Sequence, residues 1–201
     1  MPQTQISNFD FEDAQEAKEL LIEFYRREMH HIENDSMVLN DYAGRVIDWM
    51  QSSKRGLLMI GRTGCGKTTM MNAVCKMINA LYYSNISGTG TNADRRAFQW
   101  ETAYTIENFA RNERERYENF KRCEWAAIDD MGQESVSVIE YGNIVYPVRD
   151  ILLYRYENNL TTIVTTNLLP KVITEKYGPR IGDRMAEMFE TIMFNEDSYR
   201  R

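Results

Sequence analysis

A glycine-rich segment follows a short apolar run and precedes a stretch with helical periodicity. It consists of Gly61, Arg62, Thr63, Gly64, Cys65, Gly66, Lys67 and Thr68, with Thr69 directly after it. The segment fits the pattern G-x-x-x-x-G-K-[ST], in which glycines let backbone N–H groups turn inward around phosphate oxygens. Lys67 can then reach the outer phosphates, Thr68 can ligate Mg²⁺, and the next helix directs its positive N-terminus at the same anion. The segment predicts a nucleotide site; the alternative is a glycine-rich turn that binds nothing.

Two carboxylates, Asp129 and Asp130, end the apolar run WAAIDD. A hard cation beside phosphates prefers oxygen ligands, so Asp129 is expected to complete the Mg²⁺ shell, often through water. Asp130 is expected to orient or deprotonate the attacking water, at a position where many ATPases carry glutamate. Because aspartate is one methylene shorter, Glu134 is a second candidate for this role. The alternative is a strand that ends in a solvated turn.

Two further polar sets follow along the chain. The run TTIVTTN ends in Thr165, Thr166 and Asn167, where a side chain could hold the attacking water or sense the terminal phosphate. The turn preferences of threonine and asparagine also explain this ending. Arg180 and Arg184 share one helix face, which in most proteins is solvated. In an assembling ATPase, such an arginine instead reaches a neighbour's terminal phosphate and stabilises the transition state.

The elements that must position these residues alternate between strands and helices. Strands are expected at 56–60, 98–102, 124–130, 161–167 and 190–194. Helices are expected at 10–30 with Asp10 as its cap, from about 41, at 68–81, at 106–120, from Pro147, after Pro170, and at 180–189. A loop is expected between 131 and 146. The alternation predicts an α/β fold with a mainly parallel five-stranded sheet flanked by helices, and ligands at the carboxyl ends of the strands.

Composition and charge narrow the possible classes. A chain of 201 residues, 43% hydrophobic and 27% charged, is one ordinary domain or one domain with a small appendage. The net charge of −6 argues against a generally basic nucleic-acid coat. Cys65, Cys75 and Cys123 show no paired metal spacing and are typical of reduced thiols. No signal sequence is visible and no apolar stretch approaches about 18 residues, so we expect a cytoplasmic protein without a membrane span.

In their order along the chain, five segments resemble the DnaC-type helicase loaders and their IstB relatives among the AAA+ ATPases. The segments are GRTGCGKTT, WAAIDDMGQE, TTIVTTN, YGPRIGDRM and FNEDSYR. The resemblance covers about residues 41–201 and implies a P-loop NTPase core of AAA+ type without a full C-terminal lid domain. Residues 1–40 then form an N-terminal helical extension, which either packs on the core or docks a partner.

The resemblance also implies a role for each site residue. The roles are Walker A for Lys67 and Thr68, Walker B for Asp129 and Asp130, sensor 1 for Asn167, an arginine finger in trans for Arg184 or else Arg180, and a further nucleotide-sensing arginine for Arg200. The implied cofactors are ATP and Mg²⁺. The preference for ATP comes from the family likeness, since no guanine-reading N-K-x-D motif is present.

The implied function is the loading of a replicative helicase onto single-stranded DNA, with ATP hydrolysis gating a nucleotide-dependent homo-oligomer. An IstB-type helper that delivers a transposase is the alternative from the same fold. Alternatives from other classes are a P-loop kinase of small molecules, which usually needs an arginine-bearing lid that excludes water, and a nucleotide-binding module without turnover.

A basic cluster provides a candidate contact for the single-stranded DNA that the resemblance implies. It consists of Arg111, Arg114, Arg116, Lys121 and Arg122, with Tyr117 and Phe120 nearby for base stacking. Glu113, Glu115 and Glu118 dilute its charge. The alternative is therefore an exposed helix laced with salt bridges.

Overall fold

The structure of the chain, a computed structural model, describes residues 13–29, 36–86, 97–140 and 143–195. Its helices are α1 (Ala14–Glu28), α2 (Ser36–Gln51), α3 (Lys67–Ile86), α4 (Ala103–Asn112), α5 (Arg114–Arg122), α6 (Pro147–Glu157), α7 (Pro170–Tyr177) and α8 (Pro179–Met188). Its strands are β1 (Gly56–Gly61), β2 (Gln99–Thr102), β3 (Trp125–Met131), β4 (Val138–Glu140), β5 (Asn143–Val145), β6 (Thr161–Thr166) and β7 (Phe189–Phe194). None of the described helices is both long and apolar enough to cross a membrane.

Five strands form one sheet in the order β2-β3-β6-β1-β7, and all of their pairings are parallel. This confirms the predicted five-stranded parallel sheet flanked by helices. The order places β6 between β1 and β3, so the carboxyl end of β6 lies between the ends of the other two strands. The glycine-rich loop follows β1, and the two carboxylates end β3, which brings the predicted site residues to one edge of the sheet.

Helices cover both faces of the sheet, which explains why its inner strands β1, β3 and β6 read as apolar or β-branched runs, whereas the edge strand β2 is mostly exposed. Leu57 and Met59 of β1 pack into one core with α1, α2 and α3. Leu58 and Ile60, the alternate residues of the same strand, pack into a second core with α4 to α8. Because successive side chains of a strand point to opposite faces, a strand buried on both faces needs apolar residues at every position.

The first helix packs on the core, as one of the two predicted alternatives requires. Leu21, Ile22 and Tyr25 of α1 are buried in the same core as α2 and α3. The N-cap of α1 is Asp13, whose carboxylate accepts hydrogen bonds from the backbone of the first turn. The prediction of Asp10 as the cap was therefore wrong, and residue 10 itself lies outside the described residues. A role of the outer face of α1 in docking a partner stays a prediction.

The second helix begins at Ser36, earlier than the predicted start near residue 41. The predicted domain boundary after residue 40 therefore falls inside α2. Leu39 and Ala43, on either side of that boundary, are buried in one core. The amphipathic pattern continues through Ser36–Asn40 without a breaker residue, so one helix forms across the boundary.

The segment predicted to be a loop, 131–146, contains an antiparallel ribbon of β4 and β5. Val138 of β4 is buried among α4 and the neighbouring helices, which anchors the ribbon to the core. The prediction missed the ribbon because strands of three residues are too short to show an alternating pattern. The predicted start of α6 at Pro147 is confirmed.

The helix predicted at 106–120 is two helices that meet at Glu113. This residue is the C-cap of α4 and the N-cap of α5, with φ −138° and ψ 61°, outside the helical region. The break turns α5 so that Tyr117 and Phe120 enter the second core. Charged residues surround the break on both sides, so the sequence pattern carries no sign of it.

A fully buried arginine joins α6 to the amino ends of two strands. Arg155 donates hydrogen bonds to the Thr162 hydroxyl at 2.8 Å, to the Thr161 carbonyl at 2.6 Å and to the Cys123 carbonyl at 2.8 Å. Burial lowers the pKa of Arg155. These oxygen acceptors replace the water that a buried guanidinium loses, and they tie the end of α5 to β6.

Candidate nucleotide-binding site

The glycine-rich loop has the backbone that only glycine adopts without strain. Gly64 and Gly66 have φ values of 85° and 93°, in the left-handed region. At Gly61, a Cβ atom would lie 2.5 Å from the carbonyl oxygen of Phe194, so a side chain there would separate β1 from β7. The loop runs directly into α3, which begins at Lys67. The backbone N–H groups at the N-terminus of α3 therefore adjoin the loop, as an anion-binding site requires.

The ammonium group of Lys67 is buried within this loop and contacts three oxygen atoms of the protein. It donates to the carbonyls of Gly61 at 2.9 Å and Arg62 at 2.8 Å, and to Oδ1 of Asn167 at 2.8 Å. The amide nitrogen of Asn167 donates to the Thr63 hydroxyl at 3.2 Å. The predicted sensor residue at the end of β6 therefore contacts the loop at two points.

The hydroxyl of Thr68 donates to Oδ1 of Asp129 at 3.0 Å. The Thr165 hydroxyl donates to the same carboxylate oxygen and accepts the backbone N–H of Asp130 at 2.9 Å. Thr165 thus holds the first carboxylate and the backbone of the second. Thr165 is one of the polar residues at the end of β6 that are predicted to hold the attacking water or to sense the terminal phosphate. Its hydrogen bond to Asp129 joins β6 to β3 and is not apparent from the local sequence pattern.

Asp130 lies at an irregularity in the pairing of β3 with β6, between Ile128 and Met131. Its φ of 54° is in the left-handed region, which aspartate adopts more readily than most residues. Bulges of this kind re-aim side chains and are over-represented beside active sites. The second carboxylate of the predicted pair thus lies on specialised backbone at the site edge of the sheet.

Glu134 braces the loop that follows β3. One carboxylate oxygen accepts the backbone N–H of Gly132 at 2.8 Å, and the other accepts the hydroxyl of Tyr177 on α7. Burial, together with the Glu134 charge, raises the pKa of Tyr177, so this hydroxyl stays a donor. Lys176 adds hydrogen bonds to the Gly132 and Glu134 carbonyls. Glu134 is buried, and each of its carboxylate oxygens already accepts a hydrogen bond that holds this loop. This arrangement favours Asp130 as the base for the attacking water, and the alternative role of Glu134 stays a prediction.

Glu107 also holds this loop in place, although no sequence motif identifies it as a site residue. Its carboxylate accepts the backbone N–H of Ser135 at 2.9 Å and a hydrogen bond from Arg111 at 2.7 Å. Partial burial acts to raise the pKa of Glu107, but the bonds from Ser135 and Arg111 outweigh it and lower the pKa. The spacing of Glu107 and Arg111 is a helical ion-pair signal, but the contact with Ser135 is non-local.

The two arginines of α8 lie on the surface that α8 forms with α6. Arg184 donates from Nη1 to the hydroxyl of Tyr156 at 2.8 Å and to Glu187 at 3.3 Å. Arg180 donates to Glu157 at 3.3 Å. Among the described residues, the hydrogen-bond partners of Arg184 and Arg180 belong to α6 and α8. Neither arginine donates to the glycine-rich loop of its own chain there. Arg200, the further predicted arginine, lies outside the described residues.

The predicted stacking pair of the basic cluster is wrong. Tyr117 and Phe120 are buried, with exposed fractions of 2% and 3%, so neither ring is available to a base. The cations of the cluster pair with acids of the same two helices, as in Arg116–Glu113 at 2.8 Å and Arg122–Glu118 at 3.0 Å. The alternative, a surface laced with salt bridges, describes α4 and α5 better.

No family model matches the chain, and no curated protein matches it. Solved structures are similar to it in fold, and they include the following three. The structure of DnaI has a TM-score of 0.53 and 17% identity, covering 96% of this chain and 88% of that chain. The structure of the DnaC helicase loader has a TM-score of 0.54 and 19% identity, covering 82% and 93%. A primosome component from Streptococcus pyogenes serotype M3 has a TM-score of 0.53 and 16% identity, covering 96% and 86%. The chain shares the fold of these structures, and this confirms the fold that the resemblance of its segments to the DnaC-type proteins predicts.

Proposed function

We propose that the chain is an ATPase of DnaC type, which loads a replicative helicase onto single-stranded DNA and uses ATP hydrolysis to gate its own assembly. One observation carries the proposal. Hydrogen bonds join the glycine-rich loop to the ends of β3 and β6, through Lys67–Asn167 and Thr68–Asp129–Thr165. The likeness of fold to the DnaC helicase loader supports the choice of partner.

ATP would bind with its phosphates in the glycine-rich loop, over the N-terminus of α3. Lys67 supplies the positive charge, and the backbone N–H groups between Gly61 and Thr69 supply hydrogen bonds. Phosphate oxygens are stronger acceptors for an ammonium than a neutral amide oxygen. Binding would therefore exchange the Lys67–Asn167 bond for a bond to phosphate and release Asn167 toward the terminal phosphate.

The residues beside the loop fit a magnesium ion. The hydroxyl of Thr68 and a carboxylate oxygen of Asp129 lie 3.0 Å apart, and both are the oxygen ligands that Mg²⁺ prefers. Thr68 and Asp129 would hold the ion, and Thr165 would keep the carboxylate in place. When bound, Mg²⁺ neutralises charge on the phosphate oxygens.

The attacking water is assigned to Asp130 and Asn167. Asp130 would accept a proton from the water or orient it, and Asn167 would hold the water against the terminal phosphate. An arginine from a neighbouring copy, Arg184 with Arg180 as the alternative, would stabilise the charge that develops in the transition state. Because the nucleotide of one copy would contact the arginine of the next, the proposed oligomer would form only with nucleotide bound.

The test is ATP hydrolysis by the purified chain with and without single-stranded DNA, together with sedimentation under the same conditions. We expect DNA or a replicative helicase to stimulate both turnover and assembly, and Lys67→Ala to abolish both. Turnover without assembly, unaffected by DNA and directed to a small-molecule acceptor, would make the chain a kinase. Nucleotide binding without turnover in any mixture would make it a static module. Stimulation by a transposase and not by a helicase would move it to the IstB-type helpers.

A further inference from the structure

We infer that Tyr156 is the positioning residue for Arg184, and that Arg184 rather than Arg180 is the arginine given to the neighbouring copy. The inference rests on the proposed function, in which an arginine of α8 acts in trans. It assigns a role to a tyrosine at the end of α6 that no sequence motif singles out.

Three contacts hold the guanidinium of Arg184. Its central carbon lies 4.5 Å from the ring centroid of Tyr156. Its Nη1 donates to the Tyr156 hydroxyl at 2.8 Å and to Glu187 at 3.3 Å. The Tyr156 hydroxyl in turn donates to Glu187 at 2.7 Å. Stacking on the ring together with hydrogen bonds at its hydroxyl restricts both the position and the orientation of the guanidinium plane.

The Nε and Nη2 atoms of Arg184 are the ones that can donate to a phosphate of the neighbouring copy. Among the described residues, its hydrogen bonds come from Nη1 alone, so Nε and Nη2 have no acceptor there. Two N–H groups on one edge of a guanidinium match two oxygens of a phosphate. The side chain of Arg184 remains 41% exposed, so a second copy of the chain can reach this edge.

The guanidinium of Arg180 is not held by an aromatic ring and a hydroxyl group among the described residues. Its contact is one ion pair with Glu157 at 3.3 Å, and its side chain is 68% exposed. An exposed ion pair of this kind orders a side chain only weakly. Because stabilisation of a transition state depends on groups that are already in place, the ordered arginine is the better candidate for the finger.

The platform under Arg184 is itself anchored to the core. Tyr156 packs partly buried against the second core. The preceding residue, Arg155, is fully buried and bonded to β6 and to the end of α5. The hydrogen bond to Glu187, followed by partial burial, raises the pKa of Tyr156, so its hydroxyl stays protonated. The last turn of α6 is thereby fixed to the sheet and presents Tyr156 in one position.

The test mixes two inactive subunits that differ in what each can supply. Lys67→Ala cannot bind ATP but can donate Arg184, whereas Arg184→Ala binds ATP but has no finger to donate. We expect the mixture to recover hydrolysis. Tyr156→Leu placed in the Lys67→Ala subunit should lower the recovered kcat about tenfold at unchanged KM, and Tyr156→Phe should lower it less. Tyr156→Leu placed in the Arg184→Ala subunit should change nothing.

The outcomes separate the inference from the proposed function. If the two parent subunits do not recover hydrolysis and Arg184→Ala alone is fully active, the finger in trans fails and the inference fails with it. If the mixture recovers but Tyr156→Leu has no effect, or acts equally in both subunits, only the inference is overturned. Tyr154→Leu is the matched control, because the centroid of the Tyr154 ring on the same helix lies 4.9 Å from the ammonium of Lys121, which belongs to α5. If Arg180→Ala in the donor subunit abolishes the recovery and Arg184→Ala in that subunit does not, the choice between the two arginines is reversed and the inference is overturned.

Discussion

At the scale of single residues, the ammonium of Lys67 joins the glycine-rich loop to Asn167, the residue that follows β6. The cation has three oxygen acceptors within the protein, two backbone carbonyls and the side-chain oxygen of Asn167. A bound phosphate has to replace at least one of them. The Asn167 side chain is the acceptor that can leave without moving the backbone, so loss of this bond can report that nucleotide is bound.

Asn167→Ala should therefore separate nucleotide binding from hydrolysis. Removing a competing acceptor should leave ATP affinity unchanged or raise it by about tenfold or more, since a hydrogen bond to a charged group contributes about 1.5–3 kcal/mol. Hydrolysis should fall, because the water loses its partner. Asn167→Asp is the counterpart and should weaken ATP binding by repulsion of the phosphates. Calorimetric titration with ATP measures both, and a clear loss of affinity in Asn167→Ala would contradict the exchange.

Thr165→Val should weaken the proposed magnesium site without unfolding the chain. The variant removes the hydroxyl that bonds Asp129 and accepts the backbone N–H of Asp130. Loss of such a supporting group typically costs about 10–100-fold in metal affinity or activity. We expect the Mg²⁺ concentration at half-maximal hydrolysis to rise by that amount. Thr161→Val, at the other end of β6, is the control and should leave the Mg²⁺ dependence as it is.

Asp130 and Glu134 can be told apart by removing one charge at a time. Asp130→Asn should reduce hydrolysis about 100-fold or more with ATP binding retained, because general-base catalysis contributes about 10²–10⁴-fold. Glu134→Gln should keep most of the activity, because an amide can still bond Gly132 and Tyr177. Single-turnover hydrolysis compares them. A dead Glu134→Gln beside an active Asp130→Asn would reverse the assignment.

At the scale of elements, the strand order and the fit of α7 against α8 decide what the site residues can reach. β6 between β1 and β3 brings a polar strand end to both the loop and the carboxylates. Gly182 lets α8 approach α7, because a Cβ atom there would lie 2.3 Å from the Thr174 hydroxyl oxygen. The position of α8, and with it the position of Arg184, depends on this contact.

Gly182→Ala should displace α8 and lower the free energy of unfolding by about 1–3 kcal/mol, the usual cost of overpacking. Hydrolysis that depends on the finger should fall with it, while ATP binding to the loop should not. The double variant Gly182→Ala with Thr174→Ala removes the clashing hydroxyl and should recover part of both losses. Denaturant unfolding and assembled-state kcat are the two measurements. Equal stability of Gly182→Ala and the unchanged chain would contradict the tight contact.

At the scale of the whole molecule, two apolar cores stabilise the fold and one buried cation connects their elements. Arg155 joins α6, the end of α5 and the amino end of β6, at the edge of the sheet opposite to the site. Arg155→Met would leave the carbonyls of Thr161 and Cys123 without this donor.

Arg155→Met should lower the free energy of unfolding by about 3 kcal/mol or more, because buried acceptors lose their donors. Arg155→Lys should lower it less, since an ammonium still donates but reaches fewer oxygens. ATP affinity of the folded fraction should stay within about twofold in both. Denaturant titration followed by nucleotide titration checks the prediction. An unfolding free energy that does not change in Arg155→Met would show that water replaces the guanidinium there.

Much of the fold could be predicted from local pattern. The inner strands β1, β3 and β6 read as apolar or β-branched runs because both faces of the sheet are covered there. The site edge was predictable because strand-end residues such as Asp129 and Asn167 follow those runs. The ribbon of β4 and β5 and the break at Glu113 could not be predicted, since three-residue strands have no measurable period and charged residues continue through the break.

By itself, the sequence determined the glycine-rich loop, the strands and the polar residues at their ends. These depend on backbone conformation and on spacing between near neighbours. Only the tertiary structure decided that Asn167 contacts Lys67, that Thr165 holds Asp129, and that Tyr156 supports Arg184. Such contacts join residues distant along the chain, and they depend on which strands lie side by side and how closely helices pack. Tyr117 shows the difference between the two kinds of information. Its place among basic residues predicts an exposed ring, whereas the turn of α5 toward the core buries it.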